Sequence, residues 1–337
     1  MNDTFAPVAV IGAGAWGTTI SWMLGGRGIP VRLWAVTDEL AADIQRTREN
    51  ATFLPGVKLP DEVTVSADGE QVLAGVGTVI WVVPSEWLRE VAARLAPCVP
   101  DEVLMISATK GLERGSGLRM SQVLAQELGA HREPEIVAVS GPNLSGEIVR
   151  EMPAVSVAAS TSQRRAHEAQ SVLTSPLFRV YRNYDIIGVE LCGALKNVIA
   201  VAAGISDGLG YGDNAKAALI TRGLAEMSRL GVKLGAHPET FAGIAGMGDL
   251  VATCASGLSR NYTTGRRLAA GESREQIQQS TQAVAEGIFT TQAEVKLAAQ
   301  LGVEVPIAQA VNALLFEGAD PVETAASLMT RAQKAEF

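Results

Sequence analysis

Pro7-Val-Ala-Val-Ile11 leads directly into Gly12-Ala-Gly14-Ala-Trp-Gly17, and Thr18–Leu24 follow with the pattern of a helix. In this order Gly12 allows a tight turn, Gly14 lets the backbone approach a phosphate, and Gly17 lets the helix pack closely on the strand. The start of the helix offers free N–H groups to an anion. The stretch therefore predicts a strand, turn and helix that hold a dinucleotide pyrophosphate.

The G-x-G-x-x-G pattern alone is a weak signal because glycines are common, and a turn with no ligand is the alternative. A second strand-like run, Val31–Ala35, follows at the distance expected of one βαβ unit. Gly25, Gly26 and Gly28 mark the end of the helix between the two runs. This context favours the dinucleotide interpretation.

The length and charge of the chain set further bounds. Its 337 residues are long for one core, so two domains are expected. The net charge is -8 and the basic residues are dispersed. This pattern makes a nucleic acid an unexpected partner, while a local basic pocket for one small anion remains open.

Cys98, Cys192 and Cys254 lie far apart and form no C-x-x-C pair, so neither a disulfide framework nor a zinc site is expected. No H-E-x-x-H or calcium-loop motif is present, so we expect no metal. A reducing cytoplasm is the expected location, and residues 1–6 lack the pattern of a signal peptide. Ile186–Ile205 is the most apolar segment, but its charged residues favour a buried helix over a membrane span.

Residues 1–185 alternate β-branched runs with amphipathic helical segments, which predicts an α/β domain of the Rossmann type with a doubly wound, mostly parallel sheet. The expected strands beyond the first two are 77–83, 102–107, 135–140, 154–157 and 178–181, and helices are expected at 86–95 and 118–128.

Residues 186–337 lack such runs and predict an all-helical domain for substrate binding and catalysis. The expected helices are 186–205, 215–230, 239–254, 290–301 and 308–316. The boundary is a change of periodicity rather than a visible linker. A cleft between the two halves is the expected ligand site.

Lys196 is the first candidate for chemistry. It lies on a helical face with Gly193, Ala200 and Gly204, where a close-packed element or a cofactor would fit. A lysine removed from water in such company has a lowered pKa and is a usable general acid or base. The alternative is a structural lysine that reaches solvent or pairs with an acid such as Glu190.

A second group is Gly246-Met-Gly-Asp249-Leu, followed by Ser259-Arg260-Asn261. Asp249 could orient a lysine, and arginine matches phosphate oxygens with two parallel hydrogen bonds. The alternative is that Ser259 caps the next helix and Arg260 lies in its solvated first turn. The residues alone leave these two interpretations equal.

Lys110, Gly141 and Asn143 follow predicted strands, at the edge of an open sheet where ligands collect. Lys110 could neutralise a phosphate, and the other two could offer hydrogen bonds, although Gly-Pro-Asn is also an ordinary turn sequence. Glu286 is a further candidate whose alternative is a solvated helix start. The three histidines lie away from every motif, so the chemistry is expected to depend on lysine.

At this point the chain resembles the bacterial-type, NAD(P)-dependent glycerol-3-phosphate dehydrogenases along nearly its whole length. Several motifs occur in the order found in that family, which makes the set more specific than any single one. They are Gly12–Thr18, Asn50–Gly56, Thr109–Glu113, Ser140–Pro142, Leu195–Asn197, Gly246–Leu250, Ser259–Asn261 and Glu286–Gly287.

The resemblance implies reversible reduction of dihydroxyacetone phosphate to sn-glycerol 3-phosphate, a phospholipid precursor, with NAD(H) or NADP(H). It implies that Lys196 is the general acid and that Asp249 holds and polarises it. The implied substrate pocket is completed by Lys110, Gly141, Asn143, Ser259, Arg260 and Asn261. The implied dinucleotide contacts are Gly12, Gly14, Ala15, Trp16, Gly17, Phe53, Lys110, Ser145, Arg260, Val284 and Glu286.

The chain departs from the usual family pattern at three positions, Val36, Asn143 and Ser145. Val36 stands where many members have arginine or histidine, and Asp38 lies where an acid meets the ribose of NAD. This favours tolerance of NADH or a weakened preference for NADPH. Asn143 and Ser145 also replace the usual residues, so their roles are the least secure.

Two other functions remain open from the residues. One is a related two-domain β-hydroxyacid-type dehydrogenase, which would have a different lysine neighbourhood and no Ser-Arg-Asn triplet. The other is a non-catalytic dinucleotide sensor, which could dispense with Lys196 and Asp249. A homodimer is one expectation because dimers are common in such folds, but the sequence identifies no interface.

Overall fold

The computed structural model describes residues 6–281, 285–332 and 335. Within them one eight-stranded sheet has the order β3-β2-β1-β4-β5-β6-β7-β8. All neighbouring strands are parallel except β6 and β7, which are antiparallel. The strands are β1 (Val8–Ile11), β2 (Val31–Trp34), β3 (Val63–Ser66), β4 (Thr78–Trp81), β5 (Leu104–Ser107), β6 (Val137–Ser140), β7 (Ala154–Ala159) and β8 (Phe178–Asn183).

Helices connect the strands and cover both faces of the sheet, which confirms the predicted fold class. They are α1 (Ala15–Gly25), α2 (Asp38–Thr47), α3 (Gly69–Leu73), α4 (Leu88–Leu95), α5 (Met120–Leu128), α6 (Ser145–Ile148) and α7 (Gln163–Leu173). Strand β3 is missing from the prediction. Its valines are buried but its Thr64 is exposed, so the run is too short and too polar to stand out in the sequence.

The elements described after Ile186 are helical, as predicted. They are α8 (Ile186–Gly208), α9 (Gly212–Lys233), α10 (Pro238–Ala242), α11 (Asp249–Ala255), α12 (Arg260–Ala269), α13 (Arg274–Gln279), α14 (Glu286–Leu301), α15 (Pro306–Phe316) and α16 (Pro321–Met329). The predicted single helix 239–254 is wrong, because Gly243 is extended and a π-helical turn, Ile244–Gly248, separates α10 from α11. We propose that the boundary between the two domains lies between residues 185 and 186.

Helix α8 forms the centre of the helical half. Among the described helices it alone is long and apolar enough to cross a membrane, but 89% of its most apolar window is buried inside the protein. It shares one hydrophobic core with Ala138 of β6 and Val157 of β7. Burial on all sides therefore accounts for its apolar composition, as the sequence predicted.

The small face of α8 packs against α12. A Cβ on Gly204 would lie 2.0 Å from the carbonyl oxygen of Tyr262, and a Cβ on Gly265 would lie 2.0 Å from that of Val201. Two backbones can approach this closely only where both side chains are absent. The contact fixes the first two turns of α12 against the C-terminal half of α8, beyond Lys196.

Glu294 is a fully buried acid in α14 whose two carboxylate oxygens have no hydrogen-bond partner in the described structure. Burial raises the pKa of this carboxyl well above its usual range, and the nearby Glu226 raises it further. Glu226 itself accepts hydrogen bonds from the backbone N–H groups of Ile307 and Ala308, at 3.0 Å and 2.9 Å. Burial raises the pKa of Glu226 to about 7.

We expect Glu294→Gln to flatten the pH dependence of stability. The pKa of Glu294 is higher in the folded state than in the unfolded state, so the folded state binds this proton more tightly. The free energy of unfolding therefore falls as pH rises from the unfolded pKa towards the folded pKa. The free energy of unfolding, measured in urea between about pH 5 and about pH 8, should fall more steeply for the parent than for the variant. Glu226 is present in both proteins, so the difference between the two slopes reports Glu294 together with its coupling to Glu226. If the free energy of unfolding changed equally with pH in the parent and in the variant, Glu294 would not be held in its neutral form.

Candidate active site

Lys196 lies in the middle of α8 with only 5% of its surface exposed. Its Nζ donates to Thr253 Oγ1 at 2.7 Å and lies 3.1 Å from Asp249 Oδ1. Both partners belong to α11, one turn apart, so they face the same side of that helix. Lys196 is therefore buried, paired and held in one direction.

Burial and the positive charge of Lys110 together lower the pKa of Lys196 to about 8, although Asp249 opposes both effects. Near neutral pH such an amine is protonated but gives up its proton far more readily than a free lysine. The group thus has the properties of a general acid in one direction of a reaction and a general base in the other.

Asp249 joins two lysines. Its Oδ1 faces Lys196, and its Oδ2 accepts from Lys110 Nζ at 2.7 Å. Lys110 Nζ also donates to the carbonyl oxygen of Gly141 at 2.8 Å. Lys110 follows β5 and Gly141 follows β6, so the sheet and the helical half meet at this carboxylate.

Gly141 requires its lack of a side chain. Its φ is 154°, and a Cβ there would lie 2.9 Å from the Cα of Ser156. The neighbouring Asn143 side-chain amide lies 3.0 Å from Ser156 Oγ. Both residues thus pack on β7, and this contact fixes the loop that presents the Gly141 carbonyl to Lys110.

Glu190 is not the partner of Lys196. Its carboxylate accepts from the backbone N–H and hydroxyl of Ser121, at 2.8 Å and 2.6 Å, and pairs with Arg119. Ser121 lies in the first turn of α5, so Glu190 supplies from α8 the negative charge that favours a helix N-terminus. The expected alternative of a pair between Lys196 and Glu190 is therefore wrong, whereas a pair with another acid is found at Asp249.

The Ser259-Arg260-Asn261 triplet begins α12. Ser259 Oγ accepts from the backbone N–H of Tyr262 at 3.3 Å, so the capping alternative is found in the structure. Asn261 Nδ2 donates to Asn197 Oδ1 at 2.8 Å, and its Oδ1 accepts from the Gly287 N–H at 2.9 Å. The Asn261 amide therefore joins α8, α12 and α14.

Arg260 differs from its two neighbours because its side chain is exposed at the start of α12. Its guanidinium is attracted by the carboxylate of Glu286, the first residue of α14. Glu286 accepts from the backbone N–H of Ser85 at 3.1 Å and also from the Ser85 hydroxyl. Burial raises the pKa of Glu286, and the hydrogen bonds from Ser85 oppose that change.

The glycine-rich turn has the shape that a pyrophosphate requires. Gly12 has a φ of 121°, and a Cβ there would lie 2.9 Å from the carbonyl oxygen of Val82, while one on Gly17 would lie 1.9 Å from the Gly12 oxygen. At Gly14 a Cβ would meet no atom within 4 Å. Open space therefore lies over Gly14 at the first turn of α1, where free N–H groups suit an anion.

Other predicted dinucleotide residues surround this turn. Asn50 is fully buried and donates from Nδ2 to the Ala13 oxygen at 2.7 Å and to Thr18 Oγ1 at 2.8 Å, while its Oδ1 accepts from the Phe53 N–H at 3.2 Å. This places the Phe53 segment beside the turn. Trp16 packs its ring on Phe178, with centroids 6.1 Å apart, and its buried Nε1 has no partner in the described structure.

Three further predicted dinucleotide contacts are Ala15, Ser145 and Val284. Ala15 opens α1, and Ser145 is the first residue of the short helix α6. Val284 lies outside the described residues.

Three residues that position the site were not among the predicted ones. Thr253 binds Lys196, Ser85 binds Glu286, and Asn50 binds the glycine-rich turn. Thr253 could have been found from its position four residues after Asp249, on the same helical face. Ser85 has no such signal, because its partner is distant in sequence, whereas Asn50 begins one of the motifs on which the resemblance rests, Asn50–Gly56.

A sheet domain with a dinucleotide-binding turn, in contact with a helical domain that holds a buried lysine, defines a two-domain dinucleotide-dependent dehydrogenase. Comparison with family models agrees: the N-terminal model of NAD-dependent glycerol-3-phosphate dehydrogenase matches residues 7–166, and the C-terminal model matches residues 185–326. The chain belongs to the NAD-dependent glycerol-3-phosphate dehydrogenase family.

Individual relatives support this assignment. The chain is 46% identical over 329 residues to a glycerol-3-phosphate dehydrogenase [NAD(P)+] of Geobacter sp. (strain M21), covering 98% of each chain. It is 45% identical over 331 residues to that of Corynebacterium glutamicum (strain R), covering 98% of this chain and 99% of the relative. The crystal structure of glycerol-3-phosphate dehydrogenase from Coxiella burnetii is 38% identical, with a TM-score of 0.92 over 97% of this chain and 99% of that one.

Proposed function

We propose that the cluster of Lys196, Asp249 and Lys110 carries out the family's reaction in this chain, the reversible reduction of dihydroxyacetone phosphate to sn-glycerol 3-phosphate. The product is a precursor of phospholipids. The observation that carries the proposal is the contact of one buried carboxylate with two lysines, one from each half of the chain. The bound dinucleotide, NAD(H) or NADP(H), supplies or accepts the hydride.

Lys196 moves the proton. During reduction, negative charge develops on the carbonyl oxygen of the substrate, and the ammonium of Lys196 stabilises this charge and donates a proton from Nζ. In the oxidation direction the neutral amine takes the proton back. Asp249 and Thr253 hold Nζ in place, so that the amine does not have to reorient for each transfer.

Lys110 has a separate role in this proposal. It is held by Asp249 and the Gly141 oxygen, and it keeps a positive charge beside Lys196. That charge attracts the anionic substrate and lowers the pKa of Lys196. Gly141, Asn143, Ser259 and Asn261 then complete the pocket mainly by shaping its walls, since each is engaged in a contact within the protein.

Arg260 is the proposed anchor for the substrate phosphate because this arginine is an exposed residue at the start of α12. The cap Ser259 and the tied amide of Asn261 fix the helix start from which it projects. Its attraction to Glu286 supports a position between the substrate and the dinucleotide. The phosphate then serves as a handle that positions the reacting carbon.

We expect Arg260→Ala to raise KM for dihydroxyacetone phosphate by about 10²-fold, because a charge-assisted hydrogen bond to phosphate contributes roughly 1.5–3 kcal/mol. Steady-state kinetics should show a much smaller change in kcat/KM for dihydroxyacetone, which has no phosphate. Arg266→Ala removes an exposed arginine from the last turn of the same helix and is the matched control. If Arg260→Ala lowered kcat/KM equally for both substrates, Arg260 would have a structural role and would not bind the phosphate.

One assay tests the reaction itself. The absorbance of NADH, and separately of NADPH, is followed with dihydroxyacetone phosphate as the only acceptor. We expect oxidation of at least one dinucleotide and its regeneration with sn-glycerol 3-phosphate. No turnover with either dinucleotide would overturn the proposed function.

We also propose that the enzyme works in the cytoplasm as a homodimer. The unpaired, widely spaced cysteines support a reducing compartment. Fractionation with an activity assay tests the location, and light scattering of the purified protein tests the dimer. A particle with the mass of one chain would contradict the dimer.

A further inference from the structure

The edge of the sheet beyond the glycine-rich turn carries negative charge. Strands β2, β3 and β4 are parallel to β1 or to its neighbour, so their carboxyl ends lie at the same edge as the turn. The segments that follow these strands carry acids and, over residues 35–45 and 59–88, no lysine or arginine. The acids of these following segments are Asp38, Glu39, Asp43, Asp68, Glu70 and Glu86.

The cations at the end of α2 are engaged elsewhere. Arg46 pairs with Asp43, and Lys58 pairs with Glu49 at 2.9 Å. Arg48 donates to the carbonyl oxygen of Pro60. Arg46 also lies eight residues beyond Asp38, which is about 12 Å along the helix axis. These cations are therefore poorly placed to reach the start of α2.

The two arginines of α4 are also engaged. Arg89 pairs with Glu113 at 2.6 Å and also with Glu127. Arg94 stacks on the ring of Trp34, with its guanidinium carbon 5.2 Å from the ring centroid. Arg32 of β2 donates to the carbonyl oxygens of Gln71 and Ala74. The arginines of the described elements around β2 therefore each have a contact within the protein.

The turn between β2 and α2, together with the start of α2, also contains an acid and no lysine or arginine. Val36 follows the end of β2 and is 59% exposed. The Thr37 hydroxyl accepts from the Leu40 N–H at 3.2 Å and caps α2, and Asp38 is exposed in the first helical turn. In a βαβ dinucleotide fold an acid at this place meets the 2′-hydroxyl of the adenosine ribose, whereas an arginine accommodates a 2′-phosphate.

We propose that this edge makes the enzyme selective for NADH over NADPH, with Asp38 binding the ribose hydroxyl and the surrounding acids repelling the 2′-phosphate. The inference rests on the proposed function, since it concerns the dinucleotide of that reaction. Val36 contributes by placing an apolar side chain where a cation would be needed. The repulsion acts across exposed solvent and is therefore screened by salt.

Binding measured without substrate tests the selectivity. The purified protein is titrated with NADH and with NADPH by calorimetry, in low and in high salt. We expect NADH to bind at least about tenfold more tightly in low salt, and the gap to narrow as salt rises. Equal or tighter binding of NADPH in low salt would overturn the proposal.

Two arginine variants test whether NADPH binding depends on a charge in the β2–α2 turn or only on the total charge of the protein. Val36→Arg should tighten NADPH binding by about tenfold and change NADH binding little. Ala93→Arg adds the same charge to an exposed site on α4, outside the β2–α2 turn, and is the matched control. An equal gain from Ala93→Arg would contradict a specific role for the β2–α2 turn.

Asp38→Asn tests the carboxylate directly. The variant should weaken NADH binding and tighten NADPH binding, while unchanged affinities for both would exclude Asp38 from the site. The titrations contain no dihydroxyacetone phosphate, so their outcome is independent of the turnover assay. Failure of that assay alone would overturn the reaction and leave the selectivity standing.

Discussion

Lys196→Met is expected to lower kcat for dihydroxyacetone phosphate reduction by about 10³-fold, because it removes both the proton donor and the charge that stabilises the developing oxyanion. Methionine keeps the length and apolar stem of the side chain, so α8 remains packed. Asp249 still pairs with Lys110 in the variant and is not left as an isolated buried charge. Stopped-flow or steady-state kinetics measure kcat, and thermal unfolding checks the fold.

The pH profile distinguishes proton transfer from simple charge. With a pKa of about 8, the protonated form of Lys196 decreases above that pH, so the parent's reduction rate should fall there and its oxidation rate should rise. Lys196→Arg retains a positive charge that does not ionise in this range. It should therefore remain slow and lose the transition near pH 8. Near-parental rates in either variant would show that Lys196 is not the proton donor.

Asp249→Asn is expected to have the second largest effect, lowering kcat by about 10²-fold. The substitution keeps the shape of the side chain but leaves two lysines close together without their shared counterion. Asp249 normally raises the pKa of Lys196, so its loss should move the fall in reduction rate to lower pH. Rates measured across pH, together with KM, separate this effect from substrate binding.

Stability provides a second measurement for the same variant. Removing one partner of a buried ion pair typically costs roughly 3–5 kcal/mol, although loss of a proton from Lys196 would relieve part of that cost. The control is Asp213→Asn, which neutralises an exposed acid in the first turn of α9. An unchanged pH profile in Asp249→Asn would show that this carboxylate does not set the protonation of Lys196.

Local patterns in the sequence were sufficient to predict much of the fold. The glycine-rich turn, the β-branched runs and the small face of α8 each depend on residues near one another in the chain. The break at Gly243 was missed because the apolar period continues through it, whereas the π-helical turn changes only the backbone hydrogen bonding. Periodicity indicates which face is buried, but it does not show how each turn is closed.

Pairing across long distances in the chain accounts for what the sequence could not provide at the site. Lys110 and Asp249 are separated by 139 residues, and Ser85 and Glu286 by 201. Chemical type could suggest that a lysine needs an acid, but not that one acid serves two lysines. The sequence also could not show that the Asn261 amide forms hydrogen bonds to α8 and α14, because an asparagine at this position could equally bind substrate.

The carboxylate shared by Lys110 and Lys196 has a consequence for domain exchange. Because one ammonium comes from the sheet half and the other from the helical half, neither half holds the complete charge arrangement. A chimera that joins this helical half to an unrelated dinucleotide domain would need a lysine at the position of Lys110, as well as a matching surface. Recombination within this fold is therefore constrained by electrostatic compatibility across the junction, and not only by the shape of the two modules.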